Sequence, residues 1–178
     1  MKAKVERINK NKQINVFNKY LVWLLLIQSI TALAYYGYVP LIPFMEVEFG
    51  LNKIQIGWMT SAVFLGSSLI AIPSGLITDK FGSQKSLFMF SLLILFVILA
   101  FYISNSFSLI LVLLFLLGTG YGGITPGTNK SIMENFNQYN RGTAMGIKQM
   151  GVTLGSTVGT LVLPILANQF GWRNSLLS

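Results

Sequence analysis

Two lysines stand inside or at the edge of apolar runs of this chain, and they carry its chemistry. Lys130 closes the run Leu117-Gly118-Thr119-Gly120-Tyr121-Gly122-Gly123-Ile124-Thr125-Pro126-Gly127-Thr128-Asn129-Lys130. Lys148 lies within Arg141-Gly142-Thr143-Ala144-Met145-Gly146-Ile147-Lys148-Gln149-Met150-Gly151. A fixed positive charge in apolar surroundings attracts anions, and at membrane depth it marks a substrate or ion path. At 100° per residue Lys148 shares a helix face with Gly155 and Gly159, with Gly151 nearby. A glycine face packs on protein rather than lipid, so Lys148 is expected to project into a helix bundle or its aqueous cavity. It lies about 10 Å along the helix from Arg141. Lys130 shares a face with Thr119, Gly123 and Pro126. It has a second reading, in which it snorkels to the interface or pairs with Glu134 at i,i+4. No Asp or Glu occurs in the apolar runs away from their ends. The expected ligand is therefore a small organic or inorganic anion. Lys148 is its main attractor, with Gln149, Asn129 and Tyr35 or Tyr36 as hydrogen-bonding partners.

Other chemistry is missing. The chain has no Cys and no His. That excludes disulfides, thiolate or imidazole metal sites and a histidine proton relay. No nucleophile–base pair or phosphate loop is present, so an enzyme is not expected, nor a metal or cofactor.

The elements that must position the lysines follow from composition. Of 178 residues, 53% are hydrophobic and 10% charged, with mean hydropathy +0.63. A soluble domain carries about a quarter charged residues. So few charges cannot cover a water-facing surface, and lipid is the natural solvent. A span needs about 20 mostly apolar residues. Five such runs occur at approximately 20–40, 54–78, 87–103, 107–133 and 142–167, and a sixth opens at Trp172. The phenylalanines and methionines among them (Phe64, Phe88, Met89, Phe90, Phe96) read as lipid-facing or packing residues. The fold class is all-α: a polytopic membrane bundle.

Charge places the ends. Lys2, Lys4, Arg7, Lys10, Lys12 and Lys19 form a basic tail over residues 1–19. Such a tail beside an apolar run fits an anionic membrane surface, not nucleic acid. A signal peptide is the weaker reading, because the apolar run continues past Ala32-Leu33-Ala34 to Tyr38 and Pro40. With the N-terminus inside, the tail, Lys80, Lys85 and Arg141 are cytoplasmic, while Lys53 and Arg173 are outside. The asymmetry predicts a multi-pass protein of the inner or plasma membrane with a cytoplasmic N-terminus.

The link between the second and third runs reads Gly75-Leu76-Ile77-Thr78-Asp79-Lys80-Phe81-Gly82-Ser83-Gln84-Lys85. Gly75 is expected to allow close helix packing, and Gly82 to allow a tight turn. Asp79 puts a carboxylate at the membrane edge, where Lys80, Lys85 or a helix N-terminus can meet it. This stretch resembles the cytoplasmic signature of the major facilitator superfamily: Gly, three residues, Asp, a basic residue, one residue, Gly. Ser83 and Gln84 replace the basic residues that usually follow. Arg141-Gly142-x-Ala144-x-Gly146 resembles the opening of helix five in bacterial members, and Gly171-Trp172-Arg173 another recurrent element. Leu114 stands where many members have Arg. Thr160 stands where an antiporter signature on Gly146, Gly155 and Gly159 has Pro.

The resemblance implies the N-terminal six-helix half of a twelve-helix carrier, present here to the start of its sixth helix. It implies secondary active transport by alternating access, with a coupling proton or sodium ion as in a symporter. Asp79, supported by Gly75, Lys80, Gly82 and Lys85, would latch this half onto the other. By helical geometry, apart from the resemblance, Gly151, Gly155 and Gly159 are expected to pack helices. The partners implied are a small-molecule substrate, the bilayer, and the missing C-terminal half or a second copy. The alternative is a truncated, non-transporting fragment or scaffold, or a half-size carrier acting as a homodimer.

Overall fold

The computed structural model describes residues 2–176, with side chains from residue 19 onward. Five of the six basic side chains of the tail lie outside the described residues. The described elements are all helical. They are α1 (Lys2–Tyr36), a 3-10 turn (Val39–Leu41), α2 (Ile42–Phe49), α3 (Lys53–Phe81), α4 (Ser83–Tyr102), α5 (Phe107–Asn135), α6 (Arg141–Phe170) and α7 (Trp172–Ser175). Five stretches are long and apolar enough to cross a membrane: Lys19–Phe49, Lys53–Phe81, Ser83–Tyr102, Phe107–Asn135 and Arg141–Phe170. Successive long helices alternate in direction. The end holding Gly82 and residues 136–140 is here the turn end; the opposite one is the α2 end.

Local chemistry sets the helix boundaries. Asn52 caps α3 with a reciprocal box: its Oδ1 accepts from Gln55 N at 2.8 Å, and its own N–H donates to Gln55 Oε1 at 2.9 Å. Ser106 caps α5 by accepting from Leu109 N at 3.3 Å. The stretch after Pro40, which composition suggests is a loop, is mostly helix. Pro43 sits in the first turn of α2, where a missing N–H leaves nothing unpaired. Gly50 ends α2 at φ 61°, ψ 40°. Leu41 and Met45 are fully buried, so this segment belongs to the core. Gly82 alone separates α3 from α4, at φ 85° and ψ 161°, a region open essentially only to glycine.

Helix α5 is the centre, and its glycines sort its neighbours by periodicity. Gly118 and Gly122 are four apart and face α3. A Cβ on Gly118 would overlap the Val63 carbonyl oxygen, and one on Gly66 of α3 would overlap that of Phe115. The two backbones therefore meet directly, where dispersion and small residues replace the hydrophobic effect as the packing force in lipid. Gly120, Gly123 and Gly127 turn instead to α4, and receive Ile94, Phe90 and Leu87. Helices α1 and α6 form a second tight pair. Gly155 meets the Ser29 carbonyl and Gly151 the Leu25 carbonyl, whereas Gly159 makes only ordinary contact with Leu33. The outer surface is apolar, as Ile72 (79% exposed) and Leu76 (69%) illustrate.

Candidate functional site

Helix α6 buries one stripe: Ala144, Lys148, Gly151, Gly155, Gly159, Leu163 and Ala167. The three- and four-residue steps keep all seven on one face. Lys148 is the only charge on that stripe and is 3% exposed. Its Nζ donates to Asn129 Oδ1 at 2.8 Å and to Thr128 Oγ1 at 3.3 Å, both on α5. Thr128 donates its own proton to the Ile124 and Thr125 carbonyls, which leaves its lone pairs for the ammonium. An ammonium has three donors, and these contacts use two. No carboxylate pairs with Lys148 among the described residues. A buried charge without a counter-charge costs several kcal/mol unless hydrogen bonds or a ligand offset it. The site is thus a buried lysine held by two neutral acceptors.

The other residues expected beside Lys148 stand elsewhere. Gln149 is exposed, about 100° around the helix from Lys148, and is not among its hydrogen-bond partners. Tyr35 and Tyr36 also do not bond the amine. They form an aromatic group with Tyr121 of α5. The Tyr35 ring stacks on Tyr121 at 4.1 Å and 20°, and Tyr36 meets Tyr35 edge-on at 4.8 Å. Gln28 of α1 connects this group to the Lys148 stripe. It is buried against Gly151, and its Nε2 donates to Tyr121 Oη at 3.4 Å. Its Oε1 has no hydrogen-bond partner among the described residues. Thr128, Tyr121 and Gln28 are part of this arrangement although spacing alone does not single them out. Gln28 had a visible signal, a lone amide after Leu24-Leu25-Leu26-Ile27.

At the turn end, Asp79 has a different partner from the expected Lys80 or Lys85. Lys130 Nζ of α5 lies 2.9 Å from Asp79 Oδ1 and also donates to the Thr78 carbonyl at 3.1 Å. One ammonium thus holds both the carboxylate and a terminal carbonyl of α3. Lys130 does not pair with Glu134, which instead accepts from Ser83 Oγ at 2.9 Å. Lys80 lies over the Phe81 ring at 5.5 Å. Lys85 is exposed and makes no ion pair among the described residues. Gly75 has open space where a Cβ would stand, so it makes no close approach to another helix among the described residues. Gly82 does take the turn conformation. Arg141 closes the end of α5 by donating to the Met133 carbonyl at 2.7 Å and that of Phe136 at 3.1 Å.

At the α2 end, Arg173 gathers three segments. Its Nη1 lies 2.7 Å from Glu48 Oε1 of α2, and its Nη2 and Nε donate to the Ser104 carbonyl at 2.7 and 3.2 Å. Trp172 Nε1 donates to the same Glu48 carboxylate, and the guanidinium lies 4.3 Å from the Trp172 ring. The residues of the Gly171-Trp172-Arg173 element therefore tie α7 to α2 and to the α4–α5 link.

The chain is thus a helical bundle of apolar exterior, with a buried lysine and an Asp79–Lys130 ion pair beside its α3–α4 turn. The chain belongs to the Major Facilitator Superfamily, whose family model matches residues 24–178. It is a multi-pass membrane protein. It is 30% identical over 137 residues to "Probable sulfoacetate transporter SauU" of Cupriavidus necator, covering 76% of this chain and 31% of that protein. It is 26% identical to "Hexuronate transporter" of Bacillus subtilis (76% and 32% covered) and 27% identical to "Probable nitrate transporter NarT" of Staphylococcus carnosus (77% and 35%). The chain spans about a third of the length of these relatives. Among solved structures, a bacterial homologue of the human lysosomal transporter Spinster, inward-facing and occupied, superposes with TM-score 0.76 at 22% identity. That match covers 91% of this chain and 41% of the other. It concerns the fold alone.

Proposed function

We propose that this chain is the N-terminal half of a secondary carrier that moves a small anion by alternating access. The observation that carries the reading is Lys148, buried on neutral acceptors with no carboxylate partner among the described residues. A substrate anion supplies the missing counter-charge, and in a low-dielectric interior that attraction is strong. Asn129 is only partly buried and is the side chain through which a ligand reaches the amine. Relatives named for sulfoacetate, hexuronate and nitrate support the reading, because each of those compounds is an anion. The Asp79–Lys130 pair serves as the turn-end latch. The bundle sits in the cell membrane with its N-terminus and turn end in the cytoplasm. The other half comes from the same gene product or from a second copy, and a proton or sodium ion is coupled to the movement.

The test is uptake of labelled sulfoacetate, glucuronate and nitrate by liposomes holding the full product of the gene. Lys148→Met should abolish uptake of whichever anion the native protein accepts. Lys148→Arg should retain part of it. Undiminished anion uptake by Lys148→Met would overturn the proposal.

A further inference from the structure

We infer that the ligand of the Lys148 site is an elongated, hydroxylated organic anion of the sugar-acid type rather than a compact anion. The inference rests on the anion-carrier reading above and names its substrate class. Tyr121, Thr125 and Asn129 recur at i, i+4 and i+8 and line one face of α5. Thr125 is exposed and the other two are partly exposed, so the stripe is open along its length. Asn129 bears the Lys148 amine at one end. Tyr121 stands at the other, about 12 Å away along the axis. A nitrate or acetate held at Lys148 does not reach Tyr121. A sugar acid of about six carbons measures roughly 6–7 Å from its bond lengths. With a hydrogen bond of about 2.8 Å at each end, it spans the whole stripe.

The far end has the chemistry of hydroxyl recognition. The Tyr121 phenol accepts from Gln28 Nε2 and so keeps its own proton to donate. With the Gln28 amide turned over, the phenol donates to it and keeps an acceptor lone pair instead. In both arrangements Tyr121 retains one hydrogen-bonding capacity that a ligand hydroxyl, donor and acceptor at once, can fill. Gln28 Oε1 is buried without a donor among the described residues, a condition that native interiors seldom leave unfilled. Tyr36, 37% exposed and edge-on to the buried Tyr35, adds apolar ring surface near Tyr121 for the C–H groups of a sugar acid. Thr125, midway, offers one more hydroxyl. A site for a compact anion requires only the Lys148 end.

The experiment uses the full product of the gene in liposomes. Labelled glucuronate uptake is competed with acetate, glycolate, gluconate and nitrate. The inhibitory concentration should fall with each added hydroxyl, with gluconate at least tenfold more potent than acetate. Tyr121→Phe keeps the stacked ring and removes only the hydroxyl. It should narrow the gluconate-to-acetate preference about tenfold. Equal potency of nitrate, acetate and gluconate, with Tyr121→Phe unchanged, would overturn the inference and leave the anion reading standing. If only nitrate or sulfoacetate is taken up, this inference falls and the anion reading stands; if no anion, sulfoacetate included, is accepted, both fall.

Discussion

The Asp79 carboxylate is held by Lys130, 51 residues along the chain at 2.9 Å, and not by its neighbour Lys80. The pair joins the end of α3 to α5 across the α3–α4 turn. Asp79 is largely exposed and Lys130 is not, so solvent screens the attraction. The expected coupling between Asp79→Ala and Lys130→Ala in a double-mutant cycle is about 0.2–1 kcal/mol of stability. Uptake should drop several-fold in each single variant, as the proposed latch role of the pair requires. A Lys80→Ala variant that matches Asp79→Ala, with Lys130→Ala silent, would refute the assignment.

Gly155→Ala should loosen the α1–α6 pair, since the added methyl overlaps the Ser29 carbonyl oxygen. Overpacking of this kind costs about 1–3 kcal/mol. Gly75→Ala should be neutral or stabilising by up to about 1 kcal/mol, because its site is open and glycine weakens a helix interior. Thermal unfolding in detergent separates the two; a lower midpoint for Gly75→Ala than for Gly155→Ala contradicts the packing described.

Gly82→Ala should cost about 1–3 kcal/mol through backbone conformation alone, because nothing stands within 4 Å of the new methyl. Gly171, at φ 84° and ψ 152°, predicts a similar loss for Gly171→Ala. Limited proteolysis should report both as faster cleavage at the respective helix junction.

Arg173→Ala removes the ion pair with Glu48 and both bonds to the Ser104 carbonyl. Hydrogen bonds to charged groups contribute about 1.5–3 kcal/mol each at most, and partial exposure places the expected loss near the lower figure. Arg173→Lys should recover less than half of it, since an ammonium cannot fork between carboxylate and carbonyl. Denaturation midpoints measured in a single detergent decide this.

Much of the bundle was legible because its signals are local. The runs around Leu24, Leu93 and Leu113 are about as long as a membrane span or longer, and one long helix covers most of each. The α6 face was legible for the same reason: Lys148, Gly151, Gly155 and Gly159 follow helical spacing, and all are buried. The partners were not. Which of Lys80, Lys85 and Lys130 meets Asp79 depends on how α3 and α5 cross, and sequence spacing carries no information about a crossing. The α5 glycines could be seen as a group, but their division between α3 and α4 required the neighbours' positions. Gly75 looked like a packing glycine by type and has no neighbour within 4 Å. Helix α2 was hidden because Pro40, Pro43, Glu46 and Glu48 have the composition of a loop, and only the burial of Leu41 and Met45 reveals otherwise.

The one-residue elbow at Gly82 has a mechanical consequence. Consecutive Cα atoms lie about 3.8 Å apart, so α3 and α4 are joined with almost no slack. Each is seated on a different glycine face of α5, and neither can slide without dragging the other. A shift of either helix at this joint is therefore constrained by the other's seat on α5, which for α4 is Phe90 on Gly123 and Ile94 on Gly120.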